Sequence, residues 1–363
     1  MTEETANQAG SQTKCPSCGG EMVFDPEHQT LHCAYCGKKA AVTVQTGAIL
    51  EYDFKTAENT ANLDWGAVKK VIHCHNCGAE TVVDGSSVAA ECAFCGSSHI
   101  IDQESSAGIA PESLVPFKVS KNTAEENFSQ WIRKRFFAPR ALKKNYRREA
   151  IAGVYVPFWT YDADSETEYQ AEAGTYYYTT EKYTVKKEGK TETRERRVRH
   201  TRWRPVNGHF ARNFDDFLVN ASRQVDDKLI RKIEPFDLKE LVQYQAGFLA
   251  GFTAERYSVG LKEGWEKAQQ EMEKQLRNEI TRHIAADEVR RLSLNTVFRN
   301  IRFKHILLPV WVSSYLFNNK VYKFLVNGQT GKVHGEAPVS FWKVAGLIAA
   351  ILAVIAVLII IFC

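Results

Sequence analysis

Hydrophobic positions along the chain follow three spacings in turn, and the last is the simplest. Residues 344–362 read VAGLIAAILAVIAVLIIIF, with no polar or charged side chain. With Cys363 the run is 20 residues, and a helix of that length spans about 30 Å, the hydrocarbon thickness of a bilayer. The pattern predicts one membrane-spanning helix over 344–363. It is entered through a juxtamembrane stretch, 336–343, in which Trp342 and Lys343 supply a belt aromatic and a charge at the water boundary. Lys320, Lys323, Lys332 and Lys343 favour the cytoplasmic side for the soluble bulk, and the polar residues 1–12 do not read as a secretory leader. The expected localisation is a cell membrane, single-pass and tail-anchored, with the N-terminal bulk cytoplasmic.

Upstream the period changes. Thr123-Ala-Glu-Glu126 forms a capping box, and Phe128, Trp131, Ile132, Arg135 and Phe136 follow at helical spacing, predicting an amphipathic helix over 123–137. Residues 152–161, AGVYVPFWTY, are apolar and rich in strand formers. Residues 176–204 read as a long hairpin turning at Glu188-Gly189. Helices are expected over 237–244 and over 262–292, the second a solvated, mixed-charge face above a packed stripe. Strands are expected over 303–334, with Asn327-Gly328 as a hairpin turn. Three phrases recur: Leu114-Val115-Pro116-Phe117, Tyr155-Val156-Pro157-Phe158-Trp159 and Leu307-Leu308-Pro309-Val310-Trp311. They predict similar elements of one antiparallel sheet, with each proline at an edge or a bulge.

The N-terminal third is patterned by cysteine. Eight of the nine cysteines form four CxxCG motifs: Cys15/Cys18, Cys33/Cys36, Cys74/Cys77 and Cys92/Cys95. The two halves repeat at an offset of 59 residues, with Glu21, Val23 and Asp25 matched by Glu80, Val82 and Asp84. Two cysteines three apart in a tight turn present both sulfurs to one metal, and the glycine after them tolerates the positive φ that closes the turn. Each half therefore supplies a complete S₄ set, predicting two structural zinc ions. An S₄ site also accepts iron. Four such motifs in hairpins do not fit the single CxxC of a thioredoxin-like βαβ unit. His32, His73 and His75 flank the cysteines and read as surface residues.

The expected fold class is two small zinc ribbons (rubredoxin-like β hairpins), an α+β domain with an antiparallel sheet, and one C-terminal transmembrane helix. The expected boundaries are a disordered tail over 1–13, ribbons over 14–42 and 71–102, linkers over 43–70 and 103–112, and the α+β domain over 113–335.

Charge changes this picture little. The net charge is +4, which suits an anionic membrane as well as nucleic acid. Residues 186–204 hold nine Lys/Arg against three Glu, with Trp203 among them. The outer face of a hairpin accounts for this better than a binding patch for nucleic acid or lipid headgroups. Gly328-Gln-Thr-Gly331-Lys332-Val333 lacks both the first glycine and the final Ser/Thr of a phosphate loop. No nucleophile–base pairing and no open metal site is legible, so no enzyme is indicated. Gly346, Ala349, Ala350, Ala353 and Ala356 form a small-residue stripe through which the membrane helix could meet a second copy or a membrane partner; Gly346, Ala350 and Ala353 are its key positions.

Two CxxCG ribbons, then LVPFKV, AGVYVPFWTYDA, IEPFDL, YKFLVNGQTGKV and a terminal apolar helix resemble the bacterial, Bacillus-type TFIIB-type zinc-ribbon membrane proteins. These are encoded beside phage-shock-protein-A-like and SPFH/flotillin-like proteins, and often carry primosomal or helicase-like labels. The resemblance spans nearly the whole chain. It implies a membrane adaptor with those proteins as partners, and maps no binding residue beyond the zinc cysteines. The alternative expectation is a membrane-tethered nucleic-acid-binding protein.

Overall fold

A computed structural model describes residues 14–42, 49–57, 69–84, 92–95, 97, 100–103, 109–139, 151–187, 190–317 and 320–362. The 1–13 tail and the turns expected at Gly85 and at Glu188-Gly189 lie outside the described residues.

The frame is three long strands, β9 (Ala152–Lys187), β10 (Lys190–Asn220) and β13 (Glu288–Phe317), paired antiparallel in the order β10–β9–β13. The hairpin expected over 176–204 is only the far end of the β9–β10 pair. β13 starts opposite Gly174. Beyond that point β9 and β10 continue as a two-stranded arm from Thr175↔Arg202 to Lys187↔Lys190, about 40 Å long at roughly 3.3 Å per residue.

Smaller strands cover the outer edges of this frame. β4 (Tyr52–Asp53), β8 (Ser113–Leu114) and β14 (Lys320–Asn327) succeed one another along β13, and β15 (Val333–Gly335) pairs with β14. β12 (Thr253–Glu255) joins the start of β9. The three recurring phrases are neighbours here: Leu114 lies beside Leu307, and Leu307 beside Pro157. Both prolines occupy central strands rather than an edge. Pro157 sits where the outer partner of β9 changes from β12 to β10, and Pro309 where that of β13 changes from β8 to β14. Their carbonyls accept from Ala221 and Gly328 on that outer side, so the missing N–H falls in a local gap and costs no ladder bond.

Burial explains why the strands read as they do. Val154, Val156 and Phe158 face one side, where α2 (Asp227–Ile233) packs. Tyr155, Trp159 and Tyr161 face the other. Both faces are covered, so 152–161 is apolar throughout. From Asp162 onward only one face is covered. Ala163, Ser165, Thr167, Tyr169, Ala171 and Ala173 are buried, while Glu166, Glu168 and Gln170 are exposed.

The covering helix, α3 (Leu261–His283), lays Gly264, Ala268, Met272, Leu276 and Ile280 on that face. A Cβ at Gly264 would lie 2.5 Å from Tyr161 Oη, so only glycine permits this approach. The helix expected over 262–292 ends nine residues early, at His283, and Ala285 just beyond it lies in the left-handed region (φ 50°). Leu292, Leu294, Thr296 and Phe298 alternate as strand positions of β13. The helix expected over 237–244 is a 3₁₀ turn, Leu238–Glu240, followed by the two-residue strand β11, Val242–Gln243. The amphipathic helix α1 spans Lys121–Lys134, and its cap is Ser120, whose Oγ accepts from Thr123 N; the capping residue is not Thr123.

The described residues of the expected linkers, among them 49–57 and 109–112, are part of the packed unit. Tyr52–Asp53 adds a strand to β13, and Glu51 binds the buried ammonium of Lys304 at 3.0 Å. Glu112 N donates to His305 O. The boundary expected at 70/71 falls inside β5 (Lys69–Cys74).

One buried group gives the fold a pH dependence. Glu255 on β12 is 1 % exposed; Ser222 donates to its Oε1 at 2.6 Å, while Oε2 has no partner among the described residues. Burial pushes this carboxyl up to about 8, so the folded chain binds a proton there that the unfolded chain releases near 4.5. That contribution to stability is complete below about 4.5 and is lost as pH rises through about 8. Denaturant titrations at pH 6 and pH 9 should show wild type losing roughly 2–4 kcal/mol more than Glu255→Gln over that interval. Parallel curves for the two proteins would refute the assignment.

Candidate metal centres

Three of the four cysteine pairs open a tight turn with the same backbone bond. Gly19 N donates to Cys15 O, Gly37 N to Cys33 O and Gly78 N to Cys74 O, at 2.8–2.9 Å. These three glycines have φ of 71–74°, where a side chain would be strained. In the first module β1 (Met22–Asp25) and β2 (Thr30–Cys33) carry the chain from one turn to the other, with β3 (Lys39–Ala41) beside β2. The Asp25 carboxylate accepts from Glu27 N and His28 N, closing the hairpin. In the second module β6 (Glu80–Asp84) follows the first turn as β1 does, while β5 leads into that turn and pairs with both β6 and β7 (Ile100–Gln103).

The result is two groups, Cys15/Cys18/Cys33/Cys36 and Cys74/Cys77/Cys92/Cys95, whose sulfurs all lie within 4.8 Å of one another. Cys15–Cys36 and Cys18–Cys33 stand 3.5 Å apart, Cys74–Cys95 3.6 Å and Cys77–Cys92 3.7 Å. A disulfide would need about 2.05 Å. A tetrahedron with bonds of about 2.3 Å has edges of about 3.8 Å, so the sulfurs already stand near the spacing of an S₄ site. Local donors favour thiolate at some positions. The backbone N–H of Ser17 leads in holding Cys15 down to about 6. At Cys95 burial works upward, yet the Asn76 amide and neighbouring N–H groups bring it down to about 7. His75 is exposed, whereas His32 and His73 are half-buried rather than surface residues. Neither metal-binding group includes a histidine.

These modules are not appendages. The first inserts Met22, Phe24 and Leu31 into the core with Phe117, Phe248 and Leu307, and Phe24 N donates to Ala250 O. The second is joined to the main sheet by β6–β12 pairing, and Cys74, Cys92 and Phe94 pack with Val154 and Ile306.

A comparison with curated proteins finds one described as the uncharacterized protein YdjG of Bacillus subtilis (strain 168). It is 31 % identical over 342 residues, which is 93 % of each chain. The chain belongs to the YdjG family. An alignment this long takes in most of the family fold, not a shared cysteine motif alone. No protein-family model matches the chain, and no solved structure matches it.

The third expected feature is the terminal helix, α4 (Phe341–Phe362). Its segment Lys343–Ile360 is long and apolar enough to cross a membrane, and none of it is buried in the protein. Gly346, Ala350 and Ala353 are exposed on it; the side chain of Trp342 lies outside the described residues. One feature of the arm was not legible beforehand. Its arginines lie diagonally over cross-strand tyrosines: Arg197 on Tyr178 at 4.1 Å, Arg199 on Tyr176 at 4.3 Å, and Arg202 on Tyr177 at 5.4 Å. The interleaved tyrosines of 176–183 were the available signal. The turn at 327–331, which lacks the phosphate-loop pattern, has its N–H groups engaged within the protein: Asn327 Oδ1 accepts from Gln329 N and Thr330 N, Gly331 N donates to Asn327 O, and Gly328 N donates to Pro309 O.

Proposed function

We propose that the chain is a non-enzymatic, tail-anchored adaptor with two zinc ribbons of the rubredoxin-like kind. It holds cytosolic membrane-stress proteins at the bilayer, with the N-terminal bulk in the cytoplasm. The observation that carries this reading is the pairing of an apolar helix, unburied over Lys343–Ile360, with a sheet that is joined to two S₄ metal-binding groups and from which a two-stranded arm projects. An anchor, a stiff body and a displayed edge are the parts an adaptor needs. Zinc suits four thiolates with no open coordination position, a structural rather than catalytic set. The partners proposed are phage-shock-protein-A-like and SPFH/flotillin-like proteins, on the resemblance described above. The test is crosslinking and affinity capture of the full chain from membranes, followed by mass spectrometry. Recovery of either class, lost when Arg197, Arg199 and Arg202 become glutamate, supports the proposal; capture unaffected by that change, or of neither class, counts against it.

A second reading, a membrane-tethered nucleic-acid-binding protein, is favoured by the same arm, since a two-stranded ribbon fits the major groove. It predicts binding of duplex DNA or RNA that weakens steeply with salt. The adaptor reading predicts no such binding.

A further inference from the structure

The foot of the membrane helix carries a surface that neither the ribbons nor the arm explains. Lys343 Nζ donates to Phe136 O at 2.8 Å and to Ala138 O at 2.7 Å, and Ser340 N donates to Phe137 O at 2.8 Å. These bonds fasten the chain just beyond α1 to the first turn of α4. The apolar run begins at the next residue, Val344, so residues 136–138 lie within about one helical turn of where hydrocarbon begins.

We propose that the end of α1, Arg133 to Phe136, is a docking surface for anionic phospholipid headgroups. The inference rests on the reading of α4 as the membrane anchor. Phe136 is 69 % exposed, and its neighbours across the junction, Val339 and Phe341, are 64 % and 76 % exposed. Apolar groups this open are costly in water and belong at the boundary between headgroups and acyl chains. Beside them Arg133, Lys134 and Arg135 are all exposed. Their charge also offsets the negative end of the α1 macrodipole, but that role does not call for an exposed phenylalanine next to them. Lys343 spends its ammonium on backbone carbonyls, and the Arg135 guanidinium lies over the Trp131 ring at 4.6 Å, yet Arg133, Lys134 and Arg135 all keep exposed surface toward the headgroups. In the sequence the positive charge continues past this surface, with Arg140, Lys143, Lys144, Arg147 and Arg148 against Glu149. A cationic surface with an apolar wedge, set at the bilayer plane, is complementary to an anionic leaflet.

The experiment is hydrogen exchange of the full, metal-loaded chain in phosphatidylcholine vesicles and in vesicles one-third phosphatidylglycerol. Exchange over 132–138 is expected to slow about tenfold to a hundredfold in the anionic vesicles and to recover at about 0.5 M salt, where the Debye length is only a few Å. The triple variant Arg133→Gln, Lys134→Gln, Arg135→Gln should lose the slowing while α3 exchanges as in wild type, which shows the fold intact. Glycerol phosphate in solution should not compete; competition by it would assign the site to free phosphate esters and overturn the proposal. Equal exchange in both vesicle types would overturn it while leaving the anchor standing. Loss of the chain from both vesicle types in an alkaline wash would overturn the anchor reading and this one together.

Discussion

Cys74→Ser should unfold far more than the ribbon that contains it. A structural S₄ zinc supplies about 10–16 kcal/mol of apparent binding energy, and the loss of one thiolate forfeits on the order of 5 kcal/mol of it, comparable to the whole stability of an ordinary domain. In a free-standing ribbon the damage would stay local. Here Cys74 is buried against the second core cluster, and β5 leads through β6 and β12 directly to β9. The expected result is a metal content falling from two ions per chain to one. A large drop in melting temperature should accompany it, with faster hydrogen exchange in 152–158 of β9 and 306–312 of β13. Elemental analysis should report zinc; iron, or about one metal per wild-type chain, would refute the zinc assignment. If β9 keeps its protection in the variant, the coupling of ribbon to sheet is wrong.

Truncation after Lys343 should move the protein from the membrane to the soluble fraction without unfolding it. No side chain of the apolar helix over Lys343–Ile360 is buried in the body, so its removal forfeits no core packing, and Lys343 keeps its bonds to Phe136 and Ala138. The melting temperature of the truncated chain should match that of the detergent-solubilised parent within about 2 °C. Pelleting of the truncated protein with membranes in high salt would show that α4 is not the sole anchor. Within the helix, Gly346→Leu, Ala350→Leu and Ala353→Leu keep the span apolar and should preserve insertion. They fill the small-residue stripe, so crosslinking to a second copy or a membrane partner should fall. Unchanged crosslinking would leave α4 as an anchor alone.

The structure and the sequence agree where chemistry is local. The CxxCG turns were legible because two sulfurs three residues apart and a glycine with positive φ are set within five residues. The apolar terminal run was legible because an uninterrupted composition needs no partner to be recognised. The hairpin turn at Asn327 followed from its own side chain, whose Oδ1 caps two backbone N–H groups.

Where a partner set the pattern, sequence alone misled. The alternation of 163–173 and of 292–298 comes from one covered and one open face, and only the position of α3 shows which. The same helix decided where it must stop, because β13 had to return beside β9. Pro157 and Pro309 look like edge residues; they are central, and are tolerated because neighbouring strands happen to hand over at those points.

By itself, then, the sequence determined the two metal-binding sets, the membrane-length helix and the presence of a strand-rich body, each specified by residues close together in the chain. Tertiary structure alone decided that the cysteine modules belong to the core and that residues 49–57 and 109–112, within the expected linkers, pack against the sheet. It also decided that two strands, β9 and β10, extend into an arm, and that the chain just beyond α1 is fastened to the foot of the terminal helix. Those features depend on pairings between residues up to 253 positions apart, as between Glu51 and Lys304. Such contacts are chosen by burial and register across the whole sheet, and no local period in the chain encodes them.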